Sequence, residues 1–263
     1  MKLFNIAPHG KYPREYDFCI NTGVCFYKKA RERKYEETYF LEEYKAQYKK
    51  TYYEDETNLR SLAKKRLEIL NKFCPPENKN LLEIGCAAGF FLDEAKKSGY
   101  RTKGLEISNM EVQFAKSLGL DVDCVSFLDW EPKEKFDIFC AFFVLEHFSA
   151  QELALEKIFS LLKEDGIIFL ALPSFYGPTF LTNPDEWFNT HPADHFADYS
   201  PESLQKVFSN FNARIIYKSP MSFHPNRDKG WRGKFPFRPF YKILASMDCY
   251  GDTIQIMARK KKI

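Results

Sequence analysis

From residue 80 onward, short apolar segments alternate with amphipathic segments along the chain. Seven of the apolar segments predict strands, at residues 81–84, 102–106, 122–125, 136–143, 167–172, 215–217 and 253–258. Helices are predicted between them, ending at Gly99, at Gly119 and before Gly166, and Ser108 with Glu111 has the pattern of a capping box. This alternation predicts an α/β fold with a doubly wound, largely parallel seven-stranded sheet.

The segment before the first strand has a different composition. Residues 34–73 are rich in Glu, Lys, Arg and Tyr and contain neither glycine nor proline. Aromatic residues recur there at every fourth position, which places them on one helical face: Phe40, Tyr44, Tyr48 and Tyr52. A second helix is predicted after a break near residues 54–57. We therefore predict an N-terminal extension and helical cap over residues 1–76. The alternating domain follows over 77–263, with lid insertions at about 174–199 and 219–248.

Charge and cysteine usage narrow the class of protein. The chain of 263 residues has a formal net charge of +3, which is too small to indicate nucleic acid as a partner. The seven cysteines are odd in number and scattered, as is typical of reduced thiols in a cytoplasmic protein. No apolar run reaches membrane-spanning length, so no membrane span is predicted. The sequence carries no signal for an oligomeric state.

A glycine-containing turn follows the first predicted strand. In parallel sheets of this kind, ligands bind outside the carboxyl ends of the strands. Gly85 and Gly89 lie in the turn and allow backbone N–H groups to approach a ligand closely. Glu106 ends the second strand about 20 residues later, where a carboxylate accepts hydrogen bonds from ribose hydroxyls. This pattern fits either a nicotinamide dinucleotide or another adenosine-containing ligand.

Two residues of the turn argue against a dinucleotide. The pyrophosphate-binding pattern is G-x-G-x-x-G, and here Ala87 occupies the middle glycine position. Glu83, at the end of the strand, would repel a diphosphate but attract a ligand that carries positive charge. S-adenosylmethionine is such a ligand, because it has an ammonium and a sulfonium group and no phosphate.

At this point the sequence resembles the class I S-adenosylmethionine-dependent methyltransferases, in the branch of the ubiquinone-biosynthesis type. The resemblance rests on four segments in the family's order: LLEIGCAAG, GLEIS, SFLDWEPKEKFDIFCAFFVLEHF and LLKEDGIIFLALPS. It implies a Rossmann-like fold and S-adenosylmethionine as cofactor, with S-adenosylhomocysteine as product. The cofactor-binding residues that it implies are Glu83, Gly85, Cys86, Ala87, Gly89, Glu106, Ile107, Leu128, Asp129, Phe142 and, from the preceding helix, Tyr48.

Four residues are candidates for catalysis. Glu146 and His147 follow the fourth strand and either order their loop or act on the acceptor. Some ubiquinone-type O-methyltransferases are thought to hold a metal with an E-x-x-E-H cluster, but Phe143 replaces its first acid here, so no metal is predicted. His191 and His195 lie in the first lid insertion, where a histidine either serves as a base or caps a turn.

These observations predict methyl transfer from S-adenosylmethionine to an O, N or C atom of a small-molecule acceptor. Methylation of RNA or protein is an alternative, for which the basic and aromatic stretch 224–242 would supply a binding surface. A non-catalytic S-adenosylmethionine-binding protein is another alternative. Glu83 and Ala87 argue against a dinucleotide-dependent oxidoreductase.

Overall fold

A computed structural model of the chain describes residues 2–32 and 49–262. The predicted first cap helix, with Phe40, Tyr44 and Tyr48, lies outside the described residues. The helices of the described part are α1 (Glu56–Phe73), α2 (Phe90–Lys97), α3 (Asn109–Ser117), α4 (Gln151–Leu161), α5 (Pro178–Thr182), α6 (Pro184–Thr190), α7 (Pro201–Asn210) and α8 (Tyr241–Asp248). None of the helices in these two ranges is long and apolar enough to cross a lipid bilayer.

The strands form two separate sheets. They are β1 (Ile6–Pro8), β2 (Tyr16–Cys19), β3 (Cys25–Tyr27), β4 (Asn80–Ile84), β5 (Arg101–Glu106), β6 (Val122–Cys124), β7 (Phe136–Phe142), β8 (Leu162–Pro173), β9 (Ala197–Asp198), β10 (Ala213–Pro220) and β11 (Thr253–Lys260). The larger sheet has seven strands in the order β10-β11-β8-β7-β4-β5-β6. β4 runs parallel to β5 and β7, and β5 runs parallel to β6. The last strand, β11, lies between β8 and β10 and is antiparallel to β10, so the predicted fold class is confirmed.

Two local predictions were wrong. The helix ends before Gly166, at Leu161, but β8 begins at Leu162, five residues before the predicted strand start at residue 167, and it includes Asp165 with a positive φ of 64°. The predicted capping box of Ser108 does not form. Glu111 is fully buried instead and accepts a hydrogen bond of 2.8 Å from the hydroxyl of Tyr53. A long-range partner thus takes the place of the local one.

The smaller sheet was not predicted. β1, β2, β3 and β9 pair in that order as an antiparallel sheet. Strands of two to four residues are too short to show the alternation by which a strand is recognised. β9 lies within the segment predicted as the first lid insertion. Beside this sheet, Tyr16 and Cys25 pack with Phe180 and Trp187 in a buried aromatic cluster.

The described residues divide into two compact units. One contains residues 2–32, 142–159 and 168–262, and the other contains residues 49–141 and 160–167. The predicted domain boundaries at 76 and 77 stay a prediction. Each unit is treated by itself below.

The turn between β4 and α2 depends on left-handed backbone conformations. Gly85 has φ 68°, Ala87 has φ 45° and Gly89 has φ 80°. A Cβ atom at Gly89 would lie 2.6 Å from Cδ1 of Leu120 and 3.2 Å from Cβ of Ala115. Glycine is therefore required at position 89 both by conformation and by space. Ala87 adopts a conformation that costs an L-residue about 1–2 kcal/mol.

A pair of glycine substitutions separates these two contributions. Gly119 also has a positive φ of 75°, but a Cβ atom there would have no heavy atom within 4 Å. We expect Gly119→Ala to lower the free energy of unfolding by about 1–2 kcal/mol through backbone strain alone. Gly89→Ala should cost a further ~1–3 kcal/mol, because the new methyl group overpacks the contact with Leu120. Urea denaturation of both variants measures their free energies of unfolding. An equal loss of stability in the two variants would contradict the steric contribution at position 89.

Candidate functional site

The glycine turn is held in place by the end of β5. The N–H groups of Gly85 and Cys86 donate to the carbonyl oxygen of Leu105 at 2.8 and 3.1 Å. Oε2 of Glu106 accepts a hydrogen bond of 2.9 Å from the N–H of Ala87. The turn therefore keeps its shape through bonds to the neighbouring parallel strand.

The carboxylate of Glu106 is buried and shared among backbone donors. Its Oε1 accepts hydrogen bonds from the N–H groups of Ile107 and Ser108 at 2.7 and 2.9 Å. Burial raises the pKa of Glu106, and the three backbone hydrogen bonds oppose that shift. A carboxylate has about four acceptor positions, so three N–H donors leave room for one ligand hydroxyl. This geometry fits the predicted ribose-binding role.

Glu83 has partners that the sequence did not reveal. It is 4% exposed, lies close to the buried guanidinium of Arg66, and accepts a hydrogen bond from the N–H of Leu92 in the first turn of α2. Burial raises its pKa, and the charge of Arg66 and the Leu92 hydrogen bond oppose that shift. One carboxylate oxygen, Oε2, has no hydrogen-bond partner among the described residues. Glu83 thus stabilises the start of α2, and its second oxygen suits a donor from a ligand.

The remaining residues that were predicted to bind the cofactor differ in their exposure and in their place in the fold. Ile107 follows Glu106, the acid predicted to bind the ribose. Its side chain is 49% exposed, which is unusual for an isoleucine. In the loop after β6, Leu128 is half-buried and Asp129 is exposed. Phe142, the last residue of β7, belongs to the other unit, where its ring meets Phe169 edge-on with a centroid distance of 5.4 Å. Tyr48 lies outside the described residues, and the roles of all these residues stay predictions.

The four catalytic candidates lie together in the other unit. The ring of His195 meets those of His147 and His191 edge-on, with centroid distances of 4.7 and 5.7 Å. The N–H of Phe196 donates to the carbonyl oxygen of Glu146 at 2.7 Å and so joins the first lid segment to the 3-10 turn after β7. The fold thus brings Glu146 and His147 together with two histidines that lie 44 or more positions later in the sequence.

Glu146 is the most unusual member of this cluster. It is 1% exposed, and neither of its carboxylate oxygens has a hydrogen-bond partner in the described ranges. Burial raises its pKa to about 8, and the nearby carboxylates of Asp198 and Asp194 add to the shift. Glu146 is therefore mainly protonated at neutral pH and can act as a proton donor.

His147 is oriented by Asp194, which directly precedes His195 in the sequence. Its Nδ1 lies 3.0 Å from the carbonyl oxygen of Asp194 and 3.4 Å from the carboxylate oxygen Oδ2. Because a carbonyl can only accept, Nδ1 carries the proton and the lone pair of the neutral ring is on Nε2. An imidazole held in this way by a carboxylate is suited to accept a proton.

The other two histidines differ from His147. In His191, Nε2 lies 2.8 Å from Asp198 and Nδ1 lies 2.9 Å from the carbonyl oxygen of Pro192, so both nitrogens face acceptors. Tyr16 donates to the same oxygen of Asp198, which links His191 to the N-terminal strands. Burial lowers the pKa of His195 to about 3, which keeps its ring neutral. Tyr16 and Asp198 were not predicted as site residues. The close spacing of His191, His195 and Asp198 in the sequence is a signal that a search for metal-binding residue types would find.

Two groups of three residues in this cluster have side chains of the kinds that bind metal ions. Glu146, His147 and His195 form one set, and His191, His195 and Asp198 form the other; within each, the donor atoms lie within 4.8 Å of one another. Imidazole and carboxylate donors suit zinc, iron or manganese. The sequence predicted no metal, and that stays a prediction.

The parallel sheet, the glycine turn and the buried acid at the end of β5 together define a class I methyltransferase architecture. A family profile described as a methyltransferase domain matches residues 53–218, well over half of the chain. The chain therefore belongs to this family of S-adenosylmethionine-dependent methyltransferases, as its sequence motifs predicted.

Individual relatives agree with this assignment. A ubiquinone biosynthesis O-methyltransferase from Rhodopseudomonas palustris (strain BisB5) is 26% identical over 166 residues, which cover 58% of this chain and 64% of that relative. The chain thus spans less than two thirds of that relative's length. A SAM dependent methyltransferase from Archaeoglobus fulgidus superposes with a TM-score of 0.55 at 18% identity, covering 76% of this chain and 94% of the other. Magnesium protoporphyrin IX methyltransferase from Synechocystis PCC 6803, crystallised with bound SAH, has a TM-score of 0.56 at 11% identity, with coverages of 85% and 97%. These two likenesses concern the fold.

The burial of Glu146 predicts a pH dependence of stability. Its folded-state pKa of about 8 lies above the ordinary value of 4.5. The stability it contributes is therefore complete below about pH 4.5 and is lost as the pH rises through about 8. We expect Glu146→Gln, which cannot ionise, to gain stability relative to the wild type between about pH 5 and pH 8. Urea denaturation across this range measures the effect, with exposed Glu156→Gln as control. A constant difference at all pH values would contradict the assignment.

Proposed function

We propose that the chain transfers the methyl group of S-adenosylmethionine to an oxygen atom of a small-molecule acceptor. The observation that carries this choice is the pairing of His147 with Asp194, which gives the chain a group suited to take a proton from an acceptor hydroxyl. Membership in the methyltransferase-domain family and the relative named as an O-methyltransferase support the same reaction.

The unit that contains β4 and β5 supplies residues that fit the cofactor. Glu106 retains acceptor capacity for a ribose hydroxyl, and exposed Ile107 beside it offers apolar surface for an adenine ring. Glu83 has an unpartnered oxygen, which suits the ammonium of a methionine moiety. When bound, S-adenosylmethionine would supply a methyl group on a positively charged sulfur, and attack by a well-aligned nucleophile would break the methyl–sulfur bond and release S-adenosylhomocysteine as the leaving group.

The histidine cluster would accept the proton that the acceptor hydroxyl loses. As the acceptor oxygen forms its bond to the methyl group, its O–H bond breaks, and His147 Nε2 takes the proton. Asp194 stabilises the imidazolium that results. Protonated Glu146 and neutral His195 add no negative charge to this cluster at neutral pH, so the acceptor proton meets a single oriented base.

The predicted cytoplasmic location also belongs to this proposal. All seven cysteines are free thiols, and five of them are buried. This usage supports a reducing compartment.

Binding of the product tests the cofactor assignment. We expect Glu106→Gln to weaken the binding of S-adenosylhomocysteine at least tenfold, because loss of a charged hydrogen-bond acceptor costs about 1.5–3 kcal/mol. Calorimetric titration measures this, with Asp121→Asn as a control that removes an exposed carboxylate from the same unit. Titration with NAD runs alongside. Tight binding of NAD, or unchanged affinity in Glu106→Gln, would contradict the proposal.

Transfer of a labelled methyl group tests the acceptor class. The protein is incubated with S-adenosylmethionine labelled in its methyl group and with a cell extract that has been separated into small-molecule, RNA and protein fractions. We expect label in the small-molecule fraction, in an ether or ester that forms only with active protein. Label in RNA or protein would favour the macromolecular alternative. Binding of S-adenosylhomocysteine without transfer to any fraction would favour a non-catalytic protein.

The role of His147 is tested with the same small-molecule fraction. We expect His147→Gln to lower the maximal rate of label transfer by about 10²–10⁴-fold, the usual contribution of a general base. Its affinity for S-adenosylhomocysteine should stay at the wild-type value. His224→Gln, which changes a histidine outside the cluster, is the control. A wild-type rate in His147→Gln would exclude the residue as the base.

A further inference from the structure

The segment 231–247 exposes an unusual amount of apolar surface. It contains half of the large hydrophobic side chains that are exposed in the described part of the chain, namely Trp231, Phe235, Phe237, Phe240, Ile243 and Met247. Phe235 is 89% exposed and Met247 is 75% exposed. Clusters of exposed apolar residues on soluble domains usually mark a surface that binds something.

These side chains belong to short elements that pack against one another. The 3-10 turns Trp231–Gly233 and Arg238–Phe240 lead into α8, and all three elements are in mutual contact. The rings of Trp231 and Phe237 meet edge-on with centroids 5.1 Å apart. We name residues 226–247 the basic–aromatic surface.

One face of α8 anchors this surface and the other face is presented to solvent. Tyr241 and Ala245 are buried and pack with Tyr250. Ile243 and Met247, which are four positions apart, lie on the exposed face. The helix therefore has an apolar anchor on one side and a second apolar stripe without protein cover on the other.

The exposed charges of the basic–aromatic surface all have the same sign. Its exposed ionisable residues are Arg227, Lys229, Lys234, Arg238 and Lys242. The one acid within these residues, Asp228, is 5% exposed, and Asp248, which follows them at the end of α8, pairs with Arg232. Because the whole chain has a net charge of only +3, this concentration of positive charge is local.

We propose that the basic–aromatic surface binds the headgroup region of an anionic lipid bilayer, with α8 lying in the plane of the membrane. Interfacial helices of this kind insert apolar side chains to a shallow depth while lysines and arginines contact acidic headgroups. Two other occupants fit less well. A second copy of the chain would bring two positively charged surfaces together. RNA would gain little from the aliphatic side chains of Ile243 and Met247, because bases stack on aromatic rings.

The proposal predicts binding that depends on lipid charge, apolar side chains and salt together. Co-sedimentation is measured with vesicles of pure phosphatidylcholine and with vesicles that contain phosphatidylglycerol. We expect the wild type to partition at least tenfold more strongly onto the anionic vesicles, and this preference to fall as sodium chloride is added. The emission of Trp231 should shift to shorter wavelength on binding, and Trp231→Phe should remove that shift.

Two sets of variants separate the apolar from the ionic contribution. The triple variant Phe235→Ser, Ile243→Ser and Met247→Ser should lose at least nine tenths of the bound fraction, whereas Ile20→Ser with Leu153→Ser, exposed elsewhere, should bind like the wild type. The reversal of Lys234, Arg238 and Lys242 to Glu should abolish binding to anionic vesicles. Reversal of exposed Lys65, Lys133 and Lys135 is its control for net charge.

All variants are first compared with the wild type by circular dichroism and urea denaturation, and wild-type curves show that each remains folded. Equal sedimentation of the wild type with both kinds of vesicle would overturn the proposal. So would equal loss of binding in the test and control variants. Self-association that the triple serine variant abolishes would assign the surface to a second copy of the chain. Tight binding of a single-stranded RNA, with no binding to anionic vesicles, would assign it to RNA. None of these outcomes depends on whether the chain transfers methyl groups.

Discussion

The buried carboxylate of Glu106 is the interaction on which the glycine turn depends. It joins β5 to the turn after β4 by accepting the N–H of Ala87, and it closes the end of its own strand by accepting two further N–H groups. These bonds maintain a turn in which Ala87 has a left-handed conformation that alanine disfavours. The group predicted to recognise a ribose is thus also the group that holds the turn around it. Replacement by Gln, which retains one acceptor oxygen, is for that reason a milder test than removal of the side chain.

Burial of carboxylates is a recurring feature of both units. Glu83, Glu106 and Glu111 are buried in one unit, and Glu146 and Asp198 are buried in the other. Each buried charge requires compensation, and the chain provides it in different ways. Glu83 has Arg66 and a helix N–H, Glu106 has three backbone donors, and Asp198 has His191 and Tyr16. Both carboxylate oxygens of Glu146 lack a hydrogen-bond partner among the described residues. Burial is the main cause of its raised pKa, as it is for Glu83, Glu106 and Glu111.

Much of the larger sheet was predictable because its elements carry their signals locally. The strands β4, β7 and β8 contain clear apolar runs, and Gly99 and Gly119 follow the ends of α2 and α3. The predictions failed where a local signal competed with a distant partner. Ser108 and Glu111 have the pattern of a capping box, yet Glu111 gains more by accepting the hydroxyl of Tyr53 within the core. The strands β1, β2 and β3 were missed because they are too short to show alternation, and the pairing of β3 with β9 joins residues about 170 positions apart.

The sequence by itself determined the class of fold, the family and the positions of the glycine turn and of Glu106, since these depend on residue type, periodicity and spacing along the chain. Only the tertiary structure decided the partners of the buried ionisable groups. No spacing rule connects His147 with Asp194 or Tyr16 with Asp198, because their proximity results from how separate segments pack. The exposure of Phe235, Ile243 and Met247 was likewise decided by the fold, which buries Tyr241 and Ala245 on the opposite face of α8. The pKa and the exposure of a side chain depend on the residues that surround it, and these neighbours come together only when the chain folds.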